Sequence, residues 1–285
     1  MKILLTGASG QVGYELERSL QGLGDVIAVG RARMDLADLD QVRDVIRALR
    51  PGLVVNAAAW TAVDQAEAEP ALVHRINAEA PGLMAREAQA LGAALVHYST
   101  DYVFDGRKAD AYVEGDAAQP LNVYGQSKLA GEQAIAAAGG DHLILRTSWV
   151  YGMRGNNFLT TMLRLAGEDR ALRVVNDQLG APTWCRTVAD TTALMLAQAR
   201  SDGPGWWARN GGLYHLAAQG QTSWCGFAEA IMAAAGKQRA VTPIGSDAWP
   251  AAAARPPNSM MRTDKLTQRF CRLPDWRDAL RLCLE

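Results

Sequence analysis

Several features are scarce in this chain, and each scarcity argues against a class of function. Cysteine occurs four times in 285 residues, as Cys185, Cys225, Cys271 and Cys283, with no C-x-x-C pair. That spacing reads as buried thiols in a reducing compartment, ahead of a zinc site or a disulfide framework. Charge of one sign is not in excess. The 29 Lys and Arg against 30 Asp and Glu leave a net charge of −1, which gives no footprint for nucleic acid or an anionic membrane. No apolar run approaches the about 18 residues of a membrane span. Only Ile3-Leu4-Leu5 separates Met1-Lys2 from a glycine-rich turn, too little for a secretory h-region. No internal repeat is present. The expectation is a cytoplasmic protein, monomer or homodimer, with no nucleic-acid or membrane partner.

What is present is a globular composition, 49% hydrophobic and 21% charged, in a chain long enough for one large α/β domain or two smaller ones sharing a cleft. Short apolar runs at Ile3–Leu5, Val26–Val29, Leu53–Val55, Ala94–Val96 and Leu143–Leu145 alternate with helical patterns. Val12, Leu16, Leu20 and Leu23 keep helical spacing, as do Val42, Val45, Ile46 and Leu49, with Asp38 and Gln41 as a capping box. Leu83, Ala88 and Leu91 carry another helix that Pro81 starts or kinks. Apolar strands alternating with helices predict a parallel sheet covered on both faces. After residue 148 the pattern changes. A helix is expected after Asn156-Asn157-Phe158, a strand at Val174-Val175, a helix over 187–199, a Gly- and Trp-rich loop over 203–212, a strand over 213–216, a helix over 227–235 and an irregular stretch over 246–257. The fold class read from this is α/β. A Rossmann-like doubly wound parallel sheet (1–148) is followed by a smaller C-terminal α/β substrate-binding domain (149–285), with a return to the first domain around 176–200.

Gly7-Ala8-Ser9-Gly10-Gln11-Val12-Gly13 follows the first strand and opens the first helix. Glycines there let the backbone approach a pyrophosphate held at the helix N-terminus. Its Gly-x-x-Gly-x-x-Gly spacing differs from the tighter Gly-x-Gly-x-x-Gly. The second strand ends at Val29-Gly30-Arg31. An arginine here suits the 2′-phosphate of NADP, where an acid would grip the ribose of NAD, so the sequence leans to NADPH with NADH still possible. Arg31 and Arg33 can equally be solvated loop residues, and Asp35 a turn or cap residue instead of an adenine contact. Asn56-Ala57-Ala58-Ala59 ends the third strand with small side chains that leave room for a flat ligand. Tyr124 and Lys128 stand one helical turn apart on one face, and a nearby ammonium favours a phenolate. Such a pair can serve as an acid–base couple for carbonyl chemistry. Thr100, at a strand's carboxyl end, can donate to a substrate carbonyl beside the tyrosine or merely cap its strand. Asp101 can be a cap, and His97 and His74 read as packing or surface residues.

In order and spacing, the glycine motif, Asn56-Ala-Ala-Ala, Thr100 and Tyr124-x-x-x-Lys128 resemble the extended short-chain dehydrogenase/reductase superfamily. Longer strings are similar to its dTDP-4-dehydrorhamnose reductase family. These are His97-Tyr-Ser-Thr-Asp-Tyr-Val-Phe104, Pro120-Leu-Asn-Val-Tyr-Gly125, Arg146-Thr-Ser-Trp-Val-Tyr151, Asn176-Asp-Gln178 with Gly180-Ala-Pro-Thr183, and Arg255-Pro256 with Asn258-Ser259. The resemblance implies reduction of the 4-keto group of dTDP-4-dehydro-L-rhamnose, a step that supplies rhamnose for cell-surface polysaccharide. It makes Tyr124 the proton donor, Lys128 the group that lowers the tyrosine pKa and holds the nicotinamide ribose, and Thr100 the partner of the carbonyl oxygen. It implies cofactor contacts at Gly7, Gly10, Gln11, Val12, Gly13, Arg31, Asp35, Leu36, Ala57, Ala59, Thr61, Tyr124 and Lys128. Nucleotide-sugar contacts are implied at Thr100, Asp101, Trp149, Asn156, Arg255 and Asn258. Trp149 can pack on the thymine or the sugar, or sit in a core, and Arg255 can bind a diphosphate bidentately.

Two departures refine that implication. Sugar-nucleotide dehydratases carry an acid–base carboxylate directly after the Thr-Asp pair, and here the position is Tyr102, which favours plain reduction. Some rhamnose reductases hold magnesium at a dimer contact. Glu15 matches one ligand, but Arg186 stands where another acid would be wanted, which argues against that metal. Two alternatives are another nucleotide-sugar reductase or epimerase of the superfamily and a non-catalytic NADP-binding regulator.

Overall fold

A computed structural model describes residues 1–168, 171–203 and 205–285. Strand β1 (Lys2–Thr6) turns Ile3 and Leu5 to one face and Leu4 to the other, and all three are fully buried. A strand with no solvated face needs a layer on each side, and the chain supplies both. It runs through α1 (Gln11–Ser19), β2 (Asp25–Val29), α2 (Leu39–Leu49), β3 (Leu53–Asn56) and the short α3 (Val63–Ala66) and α4 (Pro70–His74). A π-helical turn (Arg75–Glu79) leads into α5 (Ala80–Ala90), followed by β4 (Ala94–Thr100), α6 (Val123–Ala138) and β5 (His142–Thr147). Asp38 caps α2 by accepting from the amide of Gln41 at 3.0 Å. The expected reciprocal half of the box is not made, because the Gln41 side chain instead accepts from the amide of Asp35.

The second half holds β6 (Val150–Tyr151), α7 (Phe158–Leu165), β7 (Leu172–Val175), β8 (Leu179–Gly180), β9 (Thr183–Trp184), α8 (Cys185–Ser201), α9 (Trp206–Asn210) and β10 (Gly212–His215). It ends with β11 (Thr222–Ser223), α10 (Trp224–Ala234), β12 (Val241–Ile244), α11 (Asp264–Arg269) and α12 (Trp276–Leu284). The stretch expected to be a loop over 203–212 contains α9. Its Trp206 is buried against Phe270, with ring centroids 5.8 Å apart, and a segment held that deeply must pair its own backbone. Pro204 lies outside the described residues. The 246–257 stretch carries only a 3-10 turn, Ser246–Ala248.

The main sheet has six strands in the order β10-β5-β4-β3-β1-β2, all parallel. On one face α1 and α8 bring Leu16, Leu20, Val188 and Met195 onto Ile3, Leu5 and Val55. On the other, α2, α5 and α6 bring Val42, Ile46, Met84 and Ile135 onto Leu4 and Val54. From β1 the chain steps outward to β2, then crosses back to β3 on the other side. That reversal opens a crevice at the carboxyl ends of β1 and β3, where doubly wound sheets bind ligands. A separate core forms where α7, α10 and α12 pack Leu159, Phe227, Ile231, Trp276 and Leu280 around β7. Both α8 and β10 come from beyond residue 148 yet pack on the main sheet. Among the described residues no helix is long and apolar enough to cross a membrane.

Candidate active site

The glycine loop is shaped by close approach. Gly7 has φ +71°, and a Cβ there would lie 2.7 Å from the backbone of Ala57 and Ala58. A Cβ on Gly13 would lie 2.1 Å from the carbonyl oxygen of Gly7. The first turn of α1 therefore sits directly on the loop, and the loop sits directly on the end of β3. Gly10 is the N-cap of α1 and offers no side-chain cap, so the first-turn amides have no intrahelical partner and favour an anion.

Over this loop lies a cavity of about 550 Å³. It is lined by Gly7, Gly10, Gln11 and Val12 from the loop, Arg31, Asp35 and Leu36 beyond β2, and Ala57, Ala59 and Thr61 beyond β3. Thr100, Asp101, Tyr124, Lys128, Trp149 and Asn156 complete the wall. Of the cofactor residues expected from sequence, Gly13 alone does not line the cavity. It supports the loop from below, since its α-carbon is needed for packing. Arg31 is exposed and has no carboxylate partner among the described residues, which leaves its guanidinium available to a phosphate. A glycine cradle, an uncapped helix start and an unpaired arginine at the far end fit a dinucleotide with a 2′-phosphate.

The N-terminus of α6 brings the reactive groups together. Asn122 caps it, accepting from the Gly125 amide at 2.7 Å, and a Cβ on Gly125 would lie 2.2 Å from the carbonyl oxygen of Tyr102. The helix start is thus pressed onto the segment following β4, which sets Tyr124 beside Thr100. Burial pushes the Tyr124 phenol up to about 12, partly offset by a hydrogen bond with Thr100. Lys128 is 2% exposed, and burial lowers its ammonium to about 8. Its Nζ donates to the carbonyl oxygen of Tyr98 at 2.5 Å and lies 3.0 Å from Nε2 of His97. Sequence predicts that Lys128 lowers the Tyr124 pKa. In the structure two hydrogen bonds of the ammonium go to His97 and Tyr98, and burial raises the phenol pKa. His97, read from sequence as packing or surface, is a buried polar partner of the lysine. Asp101 is raised to about 6 by burial, against hydrogen bonds from Ser259, Thr100 and Ser148; Thr100 Oγ1 donates to it at 3.0 Å.

Beyond Trp149 lies a second cavity, of about 800 Å³, whose lining includes Tyr102, Phe158, Arg164, Gln178, Trp224 and Arg255. The wall between the cavities is a ring stack, Trp149 on Trp224, with centroids 3.6 Å apart and planes within 6°. Trp149 holds φ +46°, a left-handed conformation that a bulky residue adopts at a cost of about 1 kcal/mol or more. Trp224 carries no sequence signal, because its ring partner is 75 residues away across the fold. Arg255 faces this second cavity and not the first. Its guanidinium pairs bidentately with Asp64, at 2.9 and 2.7 Å, and this pairing lowers the Asp64 carboxyl to about 2.

Asn258 lines neither cavity. Its amide donates to the carbonyls of Lys108 and Asp110 at 2.7 and 3.1 Å, and its oxygen accepts from the Met260 amide at 3.0 Å. The residue expected to touch substrate clasps two loops together instead. Glu15 lies 3.5 Å from Arg186, so a guanidinium occupies the carboxylate considered for magnesium. No group of three metal-ligating side chains is found among the described residues.

Residues 1–285 match the RmlD substrate binding domain family. The chain is 48% identical to a dTDP-4-dehydrorhamnose reductase of Burkholderia thailandensis, over 100% of this chain and 98% of the relative. It is 44% identical to that of Escherichia coli K12, over 97% and 94%. A crystal structure of dTDP-4-dehydrorhamnose reductase from Bacillus anthracis in complex with NADP superposes with a TM-score of 0.92 at 35% identity, covering 99% of this chain and 98% of that one. By sequence along its whole length and by fold, the chain belongs to the RmlD substrate binding domain family, alongside these dTDP-4-dehydrorhamnose reductases.

Proposed function

We propose that the chain reduces the C4 ketone of dTDP-4-dehydro-L-rhamnose to the alcohol of dTDP-L-rhamnose, with NADPH as reductant. The observation that carries the reading is one cavity shared by the glycine cradle, Arg31, Thr100, Tyr124 and Lys128. NADPH, when bound, supplies the hydride that C4 receives. Arg31 binds the 2′-phosphate, and the amides opening α1 hold the pyrophosphate. Tyr124, kept as the neutral phenol by burial, gives its proton to O4 and is left as the phenolate, which the Lys128 ammonium stabilises. Thr100 orients the phenol and the ketone oxygen, and Asp101 holds a sugar hydroxyl.

The thymidine diphosphate lies toward the second cavity, its base or sugar against Trp149 and its phosphates within reach of Arg255, which must then share its guanidinium with Asp64. Tyr102 touches Tyr124 edge-on with ring centroids 5.9 Å apart. It places a phenol, raised further by burial, where elimination of water would need a carboxylate. In the test, NADPH consumption is followed with purified ketosugar. Tyr124→Phe is expected to lower kcat by about 100- to 10,000-fold while NADPH still quenches protein fluorescence. A wild-type rate in that variant would overturn the assignment of the acid.

A further inference from the structure

Behind Lys128 a line of buried polar groups runs through the main sheet: His97 (1% exposed), Asn56 (1%) and Thr6 (2%). His97 Nε2 is 3.0 Å from Lys128 Nζ, His97 Nδ1 is 3.0 Å from Asn56 Nδ2, and Asn56 Oδ1 accepts from Thr6 Oγ1 at 2.6 Å and from the Ala58 amide at 3.3 Å. Thr6 itself lines the cofactor cavity. These positions lie in strands whose neighbours are apolar, where three uncharged polar side chains are costly unless all are paired.

We propose that His97 is the positioning residue of Lys128: its Nε2 accepts a hydrogen bond from the ammonium, and Asn56 sets the tautomer that allows it. An ammonium has three N–H donors. One is taken by the Tyr98 carbonyl and one by His97, so the third is aimed into the cavity, at the cofactor ribose and Tyr124. Without His97 the ammonium is tethered at one point only and can turn about it.

The tautomer follows from counting protons. A neutral imidazole has one N–H and one lone pair. With Nε2 accepting, Nδ1 carries the proton and needs an oxygen opposite it. The two ends of a carboxamide are alike in shape and are told apart by their partners. With its nitrogen toward Nδ1, Asn56 would force a proton onto Nε2, and two donors would face each other at Lys128. Opposite an ammonium the carboxamide must therefore turn end for end from that placement, its oxygen to His97 and its nitrogen donating to Thr6 Oγ1, and the Ala58 amide keeps Thr6 Oγ1, 3.3 Å away, as its acceptor. The imidazole stays neutral, since burial and the neighbouring Lys128 charge both lower its pKa.

The other charged or titratable groups around Lys128 are Tyr124 and Glu132 on its own helix, Asp101 after β4, and Arg146 on β5. Glu132 pairs bidentately with Arg146 at 2.8 and 2.7 Å and still raises the ammonium against the lowering by burial. An acceptor for the ammonium favours its charged form, so removing His97 shifts the loss of that charge to lower pH.

This inference rests on Lys128 serving the reduction, and its test separates the two. In unaltered protein carrying ¹⁵N-histidine, four histidines contribute signals. At neutral pH the one assigned to His97 by its loss in His97→Gln is expected to show a protonated Nδ1 and a bare Nε2. A protonated Nε2 overturns the proposal, and the measurement needs no substrate. In turnover, His97→Leu is expected to lower kcat roughly 10- to 100-fold and to move the alkaline limb of its pH profile down by about one unit. His97→Gln, which keeps an acceptor, is expected to recover much of both. If His97→Leu loses thermal stability with kcat and the alkaline limb unmoved, His97 is a packing residue and the proposal fails.

Discussion

The two cavities on either side of the Trp149–Trp224 stack are built from different materials. The first is made largely by backbone, with a glycine loop, helix amides and small residues at strand ends, to which polar side chains such as Arg31, Asp101, Thr100, Tyr124 and Lys128 add the chemistry. The second is made by large side chains from distant segments, including Phe158, Trp224, Trp249 and Arg255. A ligand shared by many enzymes can be held by invariant geometry, because a dinucleotide always presents the same pyrophosphate. A nucleotide sugar that must be told from its relatives needs shaped side chains. The difference predicts that the first cavity fails through packing and the second through loss of contact area.

Gly13→Ala is the severest challenge to the first half of that comparison, although Gly13 touches no part of the cavity. A single methyl would sit 2.1 Å from the Gly7 carbonyl oxygen, so α1 or the loop must shift. Misplacing the amides that hold a pyrophosphate is expected to weaken NADPH binding by about 100-fold, and overpacking costs about 1–3 kcal/mol of stability. Fluorescence titration and thermal melts check both. Unaltered NADPH affinity would mean that the loop tolerates displacement and that the cavity is not set by backbone.

The same contrast governs how much could be read from the sequence. β1, β3, β4 and β5 contain short apolar runs because both faces are buried, and Gly7, Thr100, Tyr124 and Lys128 each sit at a fixed offset from one of those elements. Their meeting follows from the parallel sheet alone. Trp224 and Arg255 meet Trp149 and Asp64 only through packing of the second core, over separations of 75 and 191 residues, for which no local pattern exists. His97 was hidden differently. Its position in β4 was legible, but a buried histidine looks like a packed one until its lysine partner is located. Within the expected Gly- and Trp-rich loop over 203–212, Trp206–Asn210 forms a helix because Trp206 is drawn into the core, a tertiary cause that the flanking glycines conceal.

Arg31→Ala sharpens the comparison within the first cavity, where it removes one of the few side chains that discriminate. Losing a charge-assisted bond to the 2′-phosphate is expected to raise KM for NADPH roughly 10- to 100-fold and to leave KM for NADH nearly unchanged. The readout is the ratio of kcat/KM for the two cofactors. Comparable rates with both cofactors in the unaltered chain would refute the preference attributed to Arg31.

Trp224→Ala carries the smallest expected effect and tests whether the two cavities are separable. Trp224 lines only the second cavity, yet its ring lies flat on Trp149, which lines the first. The stack contributes about 0.5–1.5 kcal/mol beyond its buried area and braces Trp149 in its left-handed conformation. Truncation is expected to raise KM for the ketosugar by roughly 5- to 10-fold, since Trp149, held between Trp224 and Gly180, then loses one of the two surfaces that fix its ring at the cavity wall. NADPH affinity should hold, because the glycine loop and Arg31 do not touch Trp224. If NADPH binding weakens by the same factor as ketosugar binding, the stack is one wall supporting both sites, and the division into a backbone-built and a side-chain-built cavity does not hold.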